Sequence, residues 1–188
     1  MPNHTEPCGL RSRFSRRRRT ALLSALGLSV APEMISAALA YPELKLNLYN
    51  LHTTERVSTV FWENGHYNID GLQMINNLLR DHRTGDVMPI DPRLLSFVYL
   101  VNTKLKNNHP ISVISGYRSE ATNRMLAKKN AGVARNSYHI RGQAIDFRIE
   151  GVETSVIRDM GIRLRVGGVG FYKKSNFVHL DTGPKRHW

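Results

Sequence analysis

His139, Asp146 and His179 are the residues of this chain best suited to chemistry. Two neutral imidazoles and one carboxylate form a common ligand set for zinc, with the fourth tetrahedral position left open. An ion held this way polarises a carbonyl and acidifies water, which is the chemistry of metal-assisted hydrolysis. Each residue alone has a plainer reading, because a lone histidine is more often on the surface or hydrogen-bonded in a core. The spacing of His139 to Asp146 by itself also arises by chance.

The elements around them must supply the convergence. Residues 143 to 149 read as a strand in which Ile145, Phe147 and Ile149 face a core while Ala144, Asp146 and Arg148 face away. A strand over residues 176 to 180 puts Val178 and Leu180 on one side and Phe177, His179 and Asp181 on the other. The two polar faces can therefore meet over one site. Upstream, Leu44, Leu46 and Leu48 and then Val57, Val60 and Phe61 suggest a hairpin or a pair of short strands within residues 44 to 69. Leu72, Ile75, Leu78 and Leu79 recur at helical spacing. Asp91 is placed as an N-cap with Pro92 at the first helical position, ahead of a stripe of Leu94, Leu95, Val98, Val101 and Leu105. Further elements are a strand at 111 to 114, a helix opened by Ser119 and Glu120, a loop at 132 to 141, a helix at 153 to 164 and a strand at 169 to 172. This order, with short connections and no internal repeat, predicts one α+β domain with a mostly antiparallel sheet flanked by helices.

The histidine and the aspartate stand in a wider frame, SYHIRGQAID at 137 to 146. Ser137, His139, Gly142, Ala144 and Asp146 match the S-x-H-x-x-G-x-A-x-D signature of the zinc peptidases grouped with lysostaphin and the D-Ala-D-Ala carboxypeptidases. With SGYRS at 115 to 119, GVARNS at 132 to 137, GGVGFY at 167 to 172 and FVHLDTG at 177 to 183, the chain from about Leu44 to Trp188 resembles the murein endopeptidase K group of that superfamily. The resemblance implies a fold of the lysostaphin and hedgehog type, with His139, Asp146 and His179 as ligands of Zn2+. It also implies peptidoglycan stem peptides as substrate, cut at cross-links involving diaminopimelate. Ser137 and Tyr117 are the substrate-binding candidates that come with it.

Many members of the superfamily place a His or Glu two residues before the last zinc histidine as general base. Here that residue is Phe177. Asp181, on the same predicted strand face as His179, is the candidate catalytic base, and its alternative role is to orient the zinc-bound imidazole. Glu150, which follows the site strand, is a weaker substitute. Arg118 is the candidate for stabilising the tetrahedral oxyanion or holding a substrate carboxylate through its two-pronged guanidinium. Ser115 and Ser137 stand in no G-x-S-x-G elbow, which argues against a serine hydrolase.

Composition sets the compartment. The first 40 residues hold six arginines and two glutamates, so they account for +4 of the chain's net +12 and leave +8 on the remainder. A domain this basic favours an anionic partner, and a carboxylate-rich wall polymer qualifies. Arg124, Lys128, Lys129, Arg135 and Arg141 cluster in sequence near the site. Residues 11 to 40 run from an arginine-rich zone through apolar Ala21–Ala31 to Ala38-Leu39-Ala40, the grammar of a signal peptide cleaved after Ala40. Ser15 to Arg19 resembles a twin-arginine export signal. The apolar zone is well short of the roughly 20 residues that span a bilayer. The expectation is a signal peptide at 1 to 40 and a peptidase domain at 41 to 188, exported as a monomer to the periplasm or envelope of a bacterium and not inserted in the membrane. Cys8 lies ahead of the apolar zone, so the mature chain contains no cysteine. The basic pI of about 10.3 also admits nucleic acid, but no binding motif for it is visible. The alternatives that keep the fold are a carboxypeptidase and a non-catalytic peptidoglycan-binding module.

Overall fold

Alternation of apolar and polar residues forms the first strand. In β1 (Glu43–Asn50) Leu44, Leu46 and Leu48 are buried while Glu43, Lys45 and Asn47 are exposed, so one face of the pleat is core and the other is open. β1 pairs antiparallel with β2 (Arg56–Glu63), which pairs in turn with the short β3 (His66–Tyr67). The computed structural model describes residues 43–130, 132–165 and 167–188. The signal peptide expected at 1 to 40, with its arginine run and Cys8, lies outside the described residues.

Capping residues place the helices. α1 (Ile69–Leu78) follows Asn68, whose side chain accepts a hydrogen bond from the Gly71 N–H at 2.9 Å. α2 (Pro92–Lys104) starts where the sequence predicts, with the Asp91 side chain accepting from the Arg93 N–H at 2.9 Å. Leu94, Leu95, Val98 and Val101 are buried along its inner face, and Leu105 is its partly buried C-cap. α3 (Glu120–Lys129) is capped by Ser119, whose hydroxyl accepts from the Thr122 N–H at 3.2 Å. α4 (Thr154–Leu164) follows Glu153, an N-cap residue that makes no side-chain cap bond.

The strands form one eight-stranded sheet in the order β3-β2-β1-β4-β5-β7-β6-β8, which adds β4 (Ile111–Ser115), β5 (Ala144–Ile149), β6 (Gly168–Tyr172), β7 (Phe177–Asp181) and β8 (Arg186–His187). β1 with β4 and β6 with β8 are parallel, and the other pairs are antiparallel. α2 packs on β1 and β7, α4 packs on β5, β6 and β7, and the two helices touch. The core between them holds Leu48, Ile111, Phe147, Ile149, Val178 and Leu180. This is the expected α+β architecture. The opposite face of the sheet carries Asp146 and His179. No helix among the described residues is long and apolar enough to cross a membrane.

Candidate metal centre

Strand register brings two of the three candidate ligands together. Asp146 of β5 lies directly opposite His179 of β7, while their neighbours Phe147 and Val178 pair on the buried core side. A bulge between Val113 and Ser115 on β4 sets Ser115 opposite Asp146, re-aiming the end of that strand toward the site. His139 arrives from outside the sheet, on a single 3-10 turn over Tyr138–Arg141. Ser137 opens this turn by accepting the His139 N–H at 3.3 Å. Gly142 closes it in the left-handed region at φ 65°, and a Cβ there would lie 2.4 Å from the carbonyl oxygen of Pro89. Both the backbone conformation and the close approach require glycine at this position of the signature.

Three donor atoms converge. His139 Nε2 lies 3.2 Å and His179 Nδ1 lies 2.8 Å from Asp146 Oδ1, and the two nitrogens are 3.3 Å apart. The other nitrogen of each ring is tethered: His139 Nδ1 donates to the Gly116 carbonyl oxygen at 2.6 Å, and His179 Nε2 donates to Asp181 Oδ2 at 2.9 Å. Each tether fixes a tautomer and directs the remaining lone pair inward. The second oxygen of Asp146 is held by Arg118 Nη2, and Arg118 Nε donates to Ser115 Oγ at 2.8 Å. Two oriented imidazoles and an oriented carboxylate fit a divalent ion of the zinc class, and they form a metal-competent group in which all three residues are buried.

The electrostatics suit that use at His139 and Asp146. Burial pushes the His139 imidazole below its ordinary pKa, toward the neutral form that a ligand needs. Burial alone would raise the Asp146 carboxyl, but the two histidines beside it outweigh this and hold it well below the usual carboxylate range. His179 is the reverse case: burial lowers it, and hydrogen bonds to Asp146 and Asp181 raise it above the ordinary value. Burial likewise opposes ionisation of Asp181, yet bonds from His179, Arg186 and the Gly183 N–H hold it down to about 2.

The remaining candidates fall into different positions. Ser137 is nearly buried and lines the cleft over the three ligands, as does Arg118, whose Nε and Nη2 are committed to Ser115 and Asp146. Asp181 is fully buried, accepting from His179, from Arg186 at 2.7 Å and from the Gly168 and Gly183 N–H groups. It sits behind the His179 ring and does not line the cleft. Tyr117 is not brought to the site: its ring packs against the hydrophobic core and its N–H bonds the Leu79 carbonyl. Glu150 is exposed in the turn after β5, away from this cleft. Of the basic cluster, Arg124, Lys128 and Arg135 line a separate surface groove with Glu120, which pairs with Arg124 at 2.9 Å. Asp146 carries the only side-chain carboxylate among the described residues that line the cleft.

The cleft has a volume of about 790 Å³, and several of its walls were not singled out from the sequence. β8 pairs with β6 and brings Arg186 and Trp188 to the site. The Trp188 ring centre lies 5.4 Å from that of His179, and its indole N–H donates to the Tyr172 hydroxyl at 3.1 Å. Tyr172 stacks on Phe177 at 4.5 Å. Gly170 lies opposite His179, and a Cβ on it would come within 2.8 Å of the Trp188 indole. The glycines of GGVGFY are the one sequence feature that announces such a close approach. Phe177, two residues before His179, forms part of the apolar wall.

A family model described as peptidoglycan L,D-endopeptidase MepK, Peptidase_M15_2, matches residues 39–188. The chain is 44% identical over 165 residues to the peptidoglycan L,D-endopeptidase MepK of Escherichia coli strain K12, covering 87% of this chain and 91% of that protein. It is 43% identical over 166 residues to the probable peptidoglycan L,D-endopeptidase MepK of Haemophilus influenzae, covering 87% of this chain and 89% of that protein.

Proposed function

The chain belongs to the MepK family of peptidoglycan L,D-endopeptidases, and on that premise we propose that it is a zinc-dependent murein endopeptidase that hydrolyses peptide cross-links at diaminopimelate. The observation that carries this reading is the convergence of His139 Nε2, Asp146 Oδ1 and His179 Nδ1 in a buried group, with the outward ring nitrogens tethered. When bound there, zinc supplies Lewis acidity, polarising the scissile carbonyl and lowering the pKa of water toward neutrality.

The protein's own part is orientation and recognition. Gly116 and Asp181 hold the two imidazoles at their outer nitrogens, and Arg118 holds Asp146 while itself steadied by Ser115. Asp181 acts as a positioning carboxylate: its oxygens are occupied by His179, Arg186 and two backbone N–H groups. Lys173, Lys174 and Arg186 give the cleft a cationic rim, which suits a stem peptide rich in carboxylates. Trp188, Tyr172 and Phe177 supply an apolar wall that shields the reacting bond from bulk water. Ser137, at the floor beside His139, contacts the substrate backbone. The protein works as a monomer in the periplasm, delivered by the signal at residues 1 to 40.

The test is digestion of purified peptidoglycan by the protein with zinc, with chelator, and as the His179→Ala variant, with products read by mass spectrometry. Cross-linked dimers should become monomers only with the zinc-loaded wild type, and the lost dimers name the bond. Stoichiometric zinc binding without cleavage would instead leave a wall-binding module.

A further inference from the structure

The sheet face that carries Asp146 continues past it into a second cavity. Arg148, two residues further along β5 and on the same face, is half-buried. Register sets it in a row: Arg148 opposite Ser112, Ser112 opposite Tyr49, and Tyr49 opposite Arg56. The Arg56 guanidinium lies 4.0 Å over the Tyr49 ring. These residues, with Glu150, Glu153 and Asn176, line a cavity of about 700 Å³. It adjoins the metal cleft, since Asn176 lines one cavity and Ser175 and Phe177 on either side of it line the other.

The charges of this cavity are balanced but unpaired. Among the described residues Arg56, Arg148, Glu150 and Glu153 take part in no ion pair with one another or with any other group. Glu153 stands at the N-cap position of α4, yet its carboxylate makes no cap bond. A purely anionic ligand would leave two carboxylates facing it, and a purely cationic one would leave two guanidiniums. A group bearing both charges on one carbon satisfies both pairs, with its carboxylate on the guanidiniums and its ammonium on the glutamates.

We infer that the cavity lined by Arg56, Arg148, Glu150 and Glu153 binds the free ammonium and carboxylate end of a diaminopimelate residue whose other end is held at the metal cleft. This rests on the endopeptidase reading above. The lengths agree: Asp146 and Arg148 are about 7 Å apart along the strand, and the two amino-acid centres of diaminopimelate are separated by four carbon–carbon bonds, about 5 Å. The arginine side chain spans the remainder. The cavity thus selects substrates whose diaminopimelate retains an unmodified far end.

Binding is measured by calorimetric titration of the full chain carrying His179→Ala and treated with chelator, so that no bound metal contributes. The probes are meso-diaminopimelate, pimelate, which lacks both ammonium groups, and cadaverine, which lacks both carboxylates. Diaminopimelate should bind at least tenfold more tightly than either analogue, and Arg148→Ala and Glu153→Gln should each weaken it at least fivefold. Equal binding of pimelate, or binding unaffected by both substitutions, overturns the inference. In the protein with His179 intact, Arg148→Ala should raise KM for cross-linked muropeptides more than it lowers kcat. A wild type that cleaves no peptidoglycan while the titration behaves as expected would strike the hydrolase reading and leave the zwitterion site standing.

Discussion

Asp181 accepts a hydrogen bond from His179 Nε2 at 2.9 Å on the side of the ring away from the cleft, while Nδ1 faces Asp146 and His139. A carboxylate in this place fixes which nitrogen can ligate, and it has no open path to substrate. Asp181→Asn should therefore lower metal affinity and activity together, each by about 10- to 100-fold. Chelator competition beside kinetics decides it. Lost kcat with unchanged metal affinity would return Asp181 to the role of base.

Arg118 bridges Ser115 and Asp146 with two different nitrogens of one planar group. Lysine donates all its hydrogen bonds from a single nitrogen and cannot match two donors set apart on one rigid plane. Arg118→Lys should then behave nearly like Arg118→Ala, with metal affinity reduced in both, as measured by zinc competition. A lysine variant that binds zinc as the wild type does would show that charge alone suffices.

Gly142 combines φ 65° with a Cβ position 2.4 Å from the Pro89 carbonyl oxygen. Gly142→Ala should cost on the order of 1–3 kcal/mol from backbone strain alone, with the Pro89 contact adding to it. Thermal melting would show a Tm several degrees lower, and the displaced 3-10 turn would weaken metal binding through His139.

Asp81 is buried and accepts from the Arg83 N–H at 2.9 Å and from the Ser119 N–H and hydroxyl at 2.9 and 2.8 Å. Burial raises its carboxyl, but these bonds and one from Thr122 outweigh that and hold it well below its ordinary 3.8. A carboxyl depressed by folding contributes stability that is present above the unfolded value and is lost as pH falls through the folded one. Asp81→Asn should destabilise by on the order of 1–3 kcal/mol at pH 7. Denaturant titrations down the pH scale should show that gap narrowing only below about pH 3.8. A gap constant down to the acid limit would mean that the ionised carboxylate contributes nothing.

Much of this was legible in one dimension, because local rules carried it. Leu44, Leu46 and Leu48 alternate with polar residues and form β1, and Asp91 followed by Pro92 starts α2 where capping chemistry requires. The facing of Asp146 and Arg148 away from Ile145 and Phe147 follows from pleat alternation, and the ligand trio stood out through its motif. Strands of two residues, such as β3 and β8, carry no periodicity, so the arrival of Arg186 and Trp188 at the site was hidden.

What the sequence determined by itself was the identity of the candidate ligands, the sides of the strands they occupy and the elements that bear them, since each depends on neighbours a few residues away. Tertiary structure alone decided how the other residues divide the work. Within SGYRS, Gly116 turns its carbonyl to His139, Arg118 grips Asp146, Ser119 caps α3 and holds Asp81, and the half-buried Tyr117 packs against the core. The same registration placed Asp181 behind the His179 ring and set Arg148 in one row with Ser112, Tyr49 and Arg56. Those assignments depend on which distant strand lies alongside and in what register, and that is set by packing the whole sheet against α2 and α4.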